Sequence, residues 1–180
     1  FSVPVVGTSG TARLVNIATR AQVGGAAGTP IAGFVIGGGT GGDVKRMLVR
    51  AVGPTLATFG VTGALADPSL ALVSGSATLA SNDNWVTADA ETFTATGAFA
   101  LGAASRDAAI VSTLGAGAYS AVVGAGTGSG VALLEVYDTD ALDSSAKLVN
   151  ASTRAFVGTG EQVLIPGFVV SGTGTVKLLL

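Results

Sequence analysis

Apolar and polar residues alternate in short blocks along this chain, and glycine-rich turns separate the blocks. Phe1, Val3 and Val5 share one face of a period-two segment. Pro4 lacks an amide hydrogen, which suits that segment to an edge strand. Residues 7–12, Gly-Thr-Ser-Gly-Thr-Ala, read as a flexible linker. Strands are expected at 14–20, 31–36 and 44–52, then at 70–73 and 77–80. A third group is expected at 108–114, 118–123 and 131–137, and a fourth at 148–154, 163–170 and 176–180. Residues 53–60 form one helical turn, with Pro54 at its first position and Gly60 as its stop. Residues 88–96 form a short helix that Gly97 ends. About a dozen short strands with frequent turn signals predict an all-β fold, an antiparallel β-sandwich. Long helices do not alternate with the strands, which argues against a parallel α/β sheet.

The pattern repeats. Residues 13–36 match 147–170 at a constant offset of 134, with 12 of 24 positions identical. Arg13-Leu-Val-Asn-Ile-Ala-Thr-Arg20 returns as Lys147-Leu-Val-Asn-Ala-Ser-Thr-Arg154, and Gly33-Phe-Val35 as Gly167-Phe-Val169. After a two-residue slip, Val44-Lys45 matches Val176-Lys177. Four parts follow: an N-terminal strand and linker at 1–12, a first copy at 13–52, a central β-sandwich region at 53–146, and a second copy at 147–180. The expected arrangement is two homologous three-stranded units flanking the centre. The copies differ in one direction: Gln22 becomes Phe156, Thr29-Pro30 becomes Val163-Leu164, and Arg46 becomes Leu178. The second copy is the more apolar, and it finishes on Val176-Lys-Leu-Leu-Leu180. An uncovered edge of that kind invites pairing with another strand.

Composition adds to this reading. Only 11% of residues are charged, against about 25% in an average soluble domain. Mean hydropathy is +0.64, yet no apolar run approaches the roughly 20 residues that span a bilayer as a helix. Net charge is −2 and the nine cations are scattered, so no basic surface for nucleic acid is indicated. With no Cys and no His, disulfides, thiol chemistry and the commonest general base are excluded. The chain starts at Phe1 with neither an initiator Met nor a signal peptide, which reads as a processed, mature protein. A weakly charged surface rich in Gly, Thr, Ser and Ala favours self-association, and it suits an extracellular or cell-surface setting.

Several blocks, namely Leu148-Val-Asn-Ala-Ser-Thr-Arg154, Ile165-Pro-Gly-Phe168, Arg50-Ala-Val-Gly-Pro54, Leu65-Ala-Asp-Pro68, Asn82-Asp-Asn-Trp85 and Val131-Ala-Leu-Leu-Glu-Val-Tyr-Asp138, resemble blocks that recur in large secreted repeat proteins of environmental bacteria. That resemblance covers most of the chain and implies a secreted β repeat. Residues 77–138 are also similar to β-sandwich modules of the pre-peptidase C-terminal type, with the Asn-Asp turn and the later Gly117-Ala-Tyr119 strand. This second resemblance implies an accessory, non-catalytic module.

Candidate chemistry is sparse. Gly37–Gly42 and Gly124–Gly130 carry no Gly-Lys-Ser/Thr, and the second runs into a strand, so both read as hairpin loops. Asn82, Asp83 and Asn84, with Asp89 or Glu91, form one candidate calcium cluster. Asp138 and Asp140, with Asp143, form another. Neither matches the EF-hand loop, and Asn and Asp side chains also build turns by themselves. No other cofactor is indicated. Asn150-Ala-Ser152 is a glycosylation sequon, but Asn16 repeats the Asn without the sequon, which favours a structural hydrogen bond. Eleven carboxylates are present and no spacing singles out a catalytic pair, so no enzyme is expected.

The expected role is therefore structural: a subunit of an extracellular bacterial filament or surface array, a homopolymer whose partner is itself. Head-to-tail contact would come from strand addition by the N-terminal segment (Phe1, Val3, Val5) or from the second copy (Phe156, Leu178, Leu179, Leu180) packing on the first copy of the next subunit. The alternative is a secreted adhesive or carbohydrate-binding β-sandwich module, with Trp85, Tyr119 and Tyr137 as ligand platforms.

Overall fold

Twelve strands carry the described chain, and they follow the period-two blocks of the sequence. This computed structural model describes residues 2–39, 42–141 and 144–179, apart from the side chains at 8 and 161. The first four strands are β1 (Ser2–Gly10), β2 (Arg13–Gly24), β3 (Ile31–Gly38) and β4 (Val44–Val52). A 3-10 turn over Pro54–Phe59 leads to β5 (Ser69–Ser74) and β6 (Ala77–Asn82). Helix α1 (Ala90–Thr96) ends at Gly97, whose φ of 73° is the left-handed cap that glycine adopts without steric cost. Strands β7 (Ala108–Gly115), β8 (Gly117–Gly124) and β9 (Ser129–Asp138) follow. The last three are β10 (Ala146–Arg154), β11 (Ile165–Ser171) and β12 (Gly174–Leu178).

The fold is all-β, and its strand ladders are antiparallel. One sheet has the order β12-β1-β10-β3-β8-β5-β6 and the other β11-β2-β9-β4-β7. The main core draws on both sheets, through Leu14, Phe34, Met47, Leu72, Val123 and Val136 among others. A second cluster gathers Leu56, Trp85, Phe93, Leu101 and Val131 around α1.

The N-terminal segment departs from its expected form. Residues 7–10 do not act as a linker but continue β1, paired with β12 from Gly7↔Lys177 to Gly10↔Gly174. Nor is β1 an edge, since it lies between β10 and β12. Pro4 stands where pairing with β10 ends and pairing with β12 begins, a position that tolerates a missing amide hydrogen.

The two copies do not stand apart on either side of the centre. They interlock. Within each copy the first two strands belong to different sheets, and each pairs with its opposite number from the other copy. Thus β3 pairs with β10, and β11 pairs with β2. The registers are reciprocal: Ile31↔Arg154 mirrors Ile165↔Arg20, and Phe34↔Ala151 mirrors Phe168↔Ile17. Even the bulges coincide, because Val149 is skipped in one ladder and Val15 in the other. The hydroxyls of Thr19 and Thr153, equivalent residues, meet at 2.8 Å. A residue touching its own equivalent marks a two-fold axis, as in an isologous dimer interface. The chain is thus a pseudo-dimer in one polypeptide.

The symmetry reaches one strand further than the sequence repeat. Asn16 on β2 pairs with Tyr137 on β9, and its equivalent Asn150 on β10 pairs with Pro4 on β1. So β1 is the counterpart of β9, and each unit has four strands: β1–β4 and β9–β12. Between the units, residues 53–128 supply β5 to β8. Here β8 covers the edge of β3, and β7 covers the edge of β4.

Candidate functional site

The symmetry exposes an inequality. Strand β3 is flanked by β8, but its counterpart β11 is a sheet edge. Strand β4 is flanked by β7, but its counterpart β12 is the edge of the other sheet. The two open edges meet at one end of the molecule, joined through Gly172-Thr173. Phe34 is 1% exposed and stacks on Tyr119 of β8 with ring centroids 5.5 Å apart. Phe168, in the same register position, is 37% exposed. Ile36 is buried, while its counterpart Val170 is exposed.

Among the described residues, eight of the thirteen exposed large apolar side chains lie between 156 and 179. Exposed apolar patches occur at interaction sites, ligand-binding grooves and aggregation-prone surfaces. Two of the expected assembly residues belong to it, Phe156 and Leu179, and Leu178 is half-buried beside them. Val3 does not belong: it is fully buried between β10 and β12 of its own chain. Val5 is half-buried against the main core. Phe1 and Leu180 lie outside the described residues. Ile165, Phe168 and Val170 were missed from the sequence. They align with the half-buried Ile31 and the buried Phe34 and Ile36, and the repeat shows the equivalence but not the absent neighbouring strand.

The two oxygen clusters serve the fold. Lys45 Nζ donates to Asp138 Oδ1 at 2.8 Å and to Asp140 Oδ2 at 3.2 Å, and Arg13 Nη2 lies 3.2 Å from Asp138 Oδ2. An ammonium thus stands between the two carboxylates proposed as calcium ligands. Asp143 lies outside the described residues. In the other cluster, Asn82 Oδ1 accepts the Ala109 amide at 3.0 Å, and Asn82 Nδ2 donates to the Asn84 carbonyl at 2.9 Å. Asn82 therefore ties β6 to β7, while Asp83 and Asn84 are exposed. Among the described residues, no group of three or more His, Cys, Asp or Glu side chains is placed to hold a metal ion.

Other buried polar residues are also paired within the fold. Arg50 donates to Glu135 Oε2 through Nε at 2.9 Å and Nη2 at 2.6 Å. Its guanidinium lies over the rings of Phe93 and Phe99, 5.0 and 4.5 Å from their centroids. Tyr137 donates to Glu135 Oε1 at 2.7 Å, and burial, with that carboxylate beside it, pushes its hydroxyl well above the ordinary tyrosine range. Asp107 accepts the Gly53 amide at 2.7 Å and the Thr55 hydroxyl, which pins the 3-10 turn to β7. Asp89 is raised above the ordinary carboxylate value by burial, an effect opposed by Arg46.

The proposed ligand platforms face inward. Trp85 is buried against Phe93 and donates to the Gly102 carbonyl at 3.0 Å. Tyr137 is buried, and Tyr119 is half-buried on Phe34. The recurring Asn is structural where it is buried: Asn16 Nδ2 donates to the carbonyls of Ile17 and Val136, both at 3.2 Å.

No family model, no curated protein and no solved structure matches the chain.

Proposed function

We propose that this chain is a structural subunit of an extracellular bacterial filament or surface array, and that it assembles head-to-tail through the β11–β12 end. The observation that carries the reading is the concentration of exposed apolar side chains on that end. Two neighbouring sheet edges with free backbone groups are also a template for strand addition. The opposite end is different in kind. There β6 and β7 are the edges of their sheets, and the Asn82 side chain links them through the Ala109 amide; among the described residues the exposed apolar concentration is missing from this end. An interface between unlike ends does not close on itself and grows a fibre. The low charge density of the chain leaves little repulsion between copies.

The test is electron microscopy, with light scattering across a dilution series. The wild-type chain should form polymers that lengthen with concentration. The double variant Phe168→Asp/Val170→Asp should stay folded and monomeric, because both side chains are exposed in the single chain. Wild-type monomers at every concentration would overturn the reading.

A further inference from the structure

The molecule holds two four-stranded units and one β7–β8 corner hairpin, whose two strands lie in different sheets and pair with the first unit rather than with each other. On the first unit that hairpin lies along both outer edges, β8 on β3 and β7 on β4. On the second unit the equivalent edges, β11 and β12, are bare. We infer that the β11–β12 end is an acceptor for a two-stranded corner of the β7–β8 kind, one strand for each sheet, carried by a partner polypeptide. The inference concerns the same end as the assembly reading, differs from it in the occupant, and does not depend on the homopolymer.

The occupied unit shows what the occupant must look like. Its second strand runs antiparallel to β11, as β8 does to β3. It places an aromatic residue opposite Phe168, as Tyr119 stands opposite Phe34. Small residues flank that position, since Gly33 meets Ser120 and Ala32 meets Ala121. Its first strand presents an apolar residue to Lys177, as Leu114 faces Lys45. One residue joins the strands, as Ala116 does, so that the hairpin passes from one sheet to the other. The chain's own hairpin cannot serve both units: moved to β11–β12, it would bare β3 and β4 and expose Phe34. A polymer of this chain alone is always one hairpin short per copy.

The site can be tested with a synthetic peptide spanning residues 106–126 as the probe, added to the full 180-residue chain. Hydrogen exchange should slow about tenfold or more across β11 and β12, and β6 should be unchanged. Phe168→Asp in the chain, or Tyr119→Ala in the peptide, should weaken binding about tenfold or more. No slowing at β11 and β12, or equal slowing with a scrambled peptide, would overturn the inference. A chain extended past Leu180 by a second copy of residues 49–128 gives an independent measurement, since Leu180 aligns with Leu48. The extended chain should be monomeric with β11 and β12 protected; if those strands exchange as they do in the 180-residue chain, the inference fails. The two readings separate cleanly. Polymers that ignore the peptide, or a closed dimer joined through two β11–β12 ends, remove the hairpin acceptor; wild-type monomers that bind the peptide keep it and remove the homopolymer.

Discussion

Phe34 and Phe168 occupy the same position in two copies of one sequence block, in the same ladder register, and only one of them is buried. Strand identity, pairing partner and bulge position follow the shared sequence. Burial does not. It follows from residues 53–128, whose strands β8 and β7 lie along β3 and β4, while β11 and β12 have no such neighbour. A repeated sequence can therefore specify the same backbone twice while the energetic weight of each residue differs severalfold.

The sharpest way to break this comparison is to truncate both rings. Phe34→Ala removes a fully buried aromatic and leaves a cavity under Tyr119, at a cost of about 3–5 kcal/mol. Phe168→Ala removes a ring already partly in water, and about 1 kcal/mol or less should be lost. Urea denaturation at a concentration that keeps the chain monomeric measures both. Equal losses would show that the β11–β12 end is covered in solution.

The second contrast concerns charge. Lys45 and Lys177 are equivalent, but Lys45 is buried between Asp138 and Asp140, and Lys177 is exposed. Val5 of β1 lies close to the place that Asp138 holds on β9, so β1 brings no carboxylate to Lys177 at that position. Lys45→Met leaves buried Asp138 with Arg13 and the Asp140 amide but without its ammonium, and should cost about 3 kcal/mol, near the lower bound for breaking a buried pair. Lys177→Met should stay within about 0.5 kcal/mol. The same denaturation curves report both, and a loss at Lys177 as large as that at Lys45 would end the distinction.

These contrasts show what could be read from the sequence. The strands of both copies, the helix closed by Gly97 and the turn begun by Pro54 were legible because periodicity and turn chemistry act locally. The place of β1 was not, because residues 7–10 have a linker's composition and became strand only through pairing with β12, far along the chain. The interlocking of the copies was also hidden, since a repeat fixes equivalence and does not say which equivalents pair. Of the candidate site, Phe156 and the end of the second copy were visible as apolar replacements. Phe168 was invisible by that route, because it is unchanged between copies and only the missing neighbour makes it exposed. Asp138 and Asp140 looked like metal ligands because the sequence cannot show that Lys45 lies between them.

A smaller effect tests the axis itself. Thr19 and Thr153 are both buried, and their hydroxyls meet across the pseudo-two-fold. Thr19→Val leaves Thr153 without that partner, at a cost of about 1–2 kcal/mol. Thr153→Val should cost a similar amount, and the double variant less than the sum, because removing both hydroxyls leaves neither deprived. A double-mutant cycle measures the coupling. Strict additivity would mean that the two hydroxyls do not act as a pair.

The smallest effect separates β9 from its counterpart β1 by titration. Tyr137 on β9 stands where β1 has Pro4, so of these two equivalent strands only β9 carries a titrating hydroxyl at this position. Burial, and the Glu135 carboxylate beside it, hold that proton more tightly in the folded chain than in the unfolded one. The unfolded tyrosine releases its proton near pH 10, so above that pH the unfolded state is favoured. Stability from this group is complete below about pH 10 and falls beyond it, by about 0.8 kcal/mol near pH 10.5 and with a limiting slope of about 1.4 kcal/mol per unit. Tyr137→Phe removes the titrating group and leaves the ring in place, so its stability should fall less steeply over the same window. Lysines also titrate there, and the difference between the two curves isolates the tyrosine. Parallel curves would mean that Tyr137 reaches water in the folded chain, and that the core beneath β9 is looser than its 8% exposure indicates.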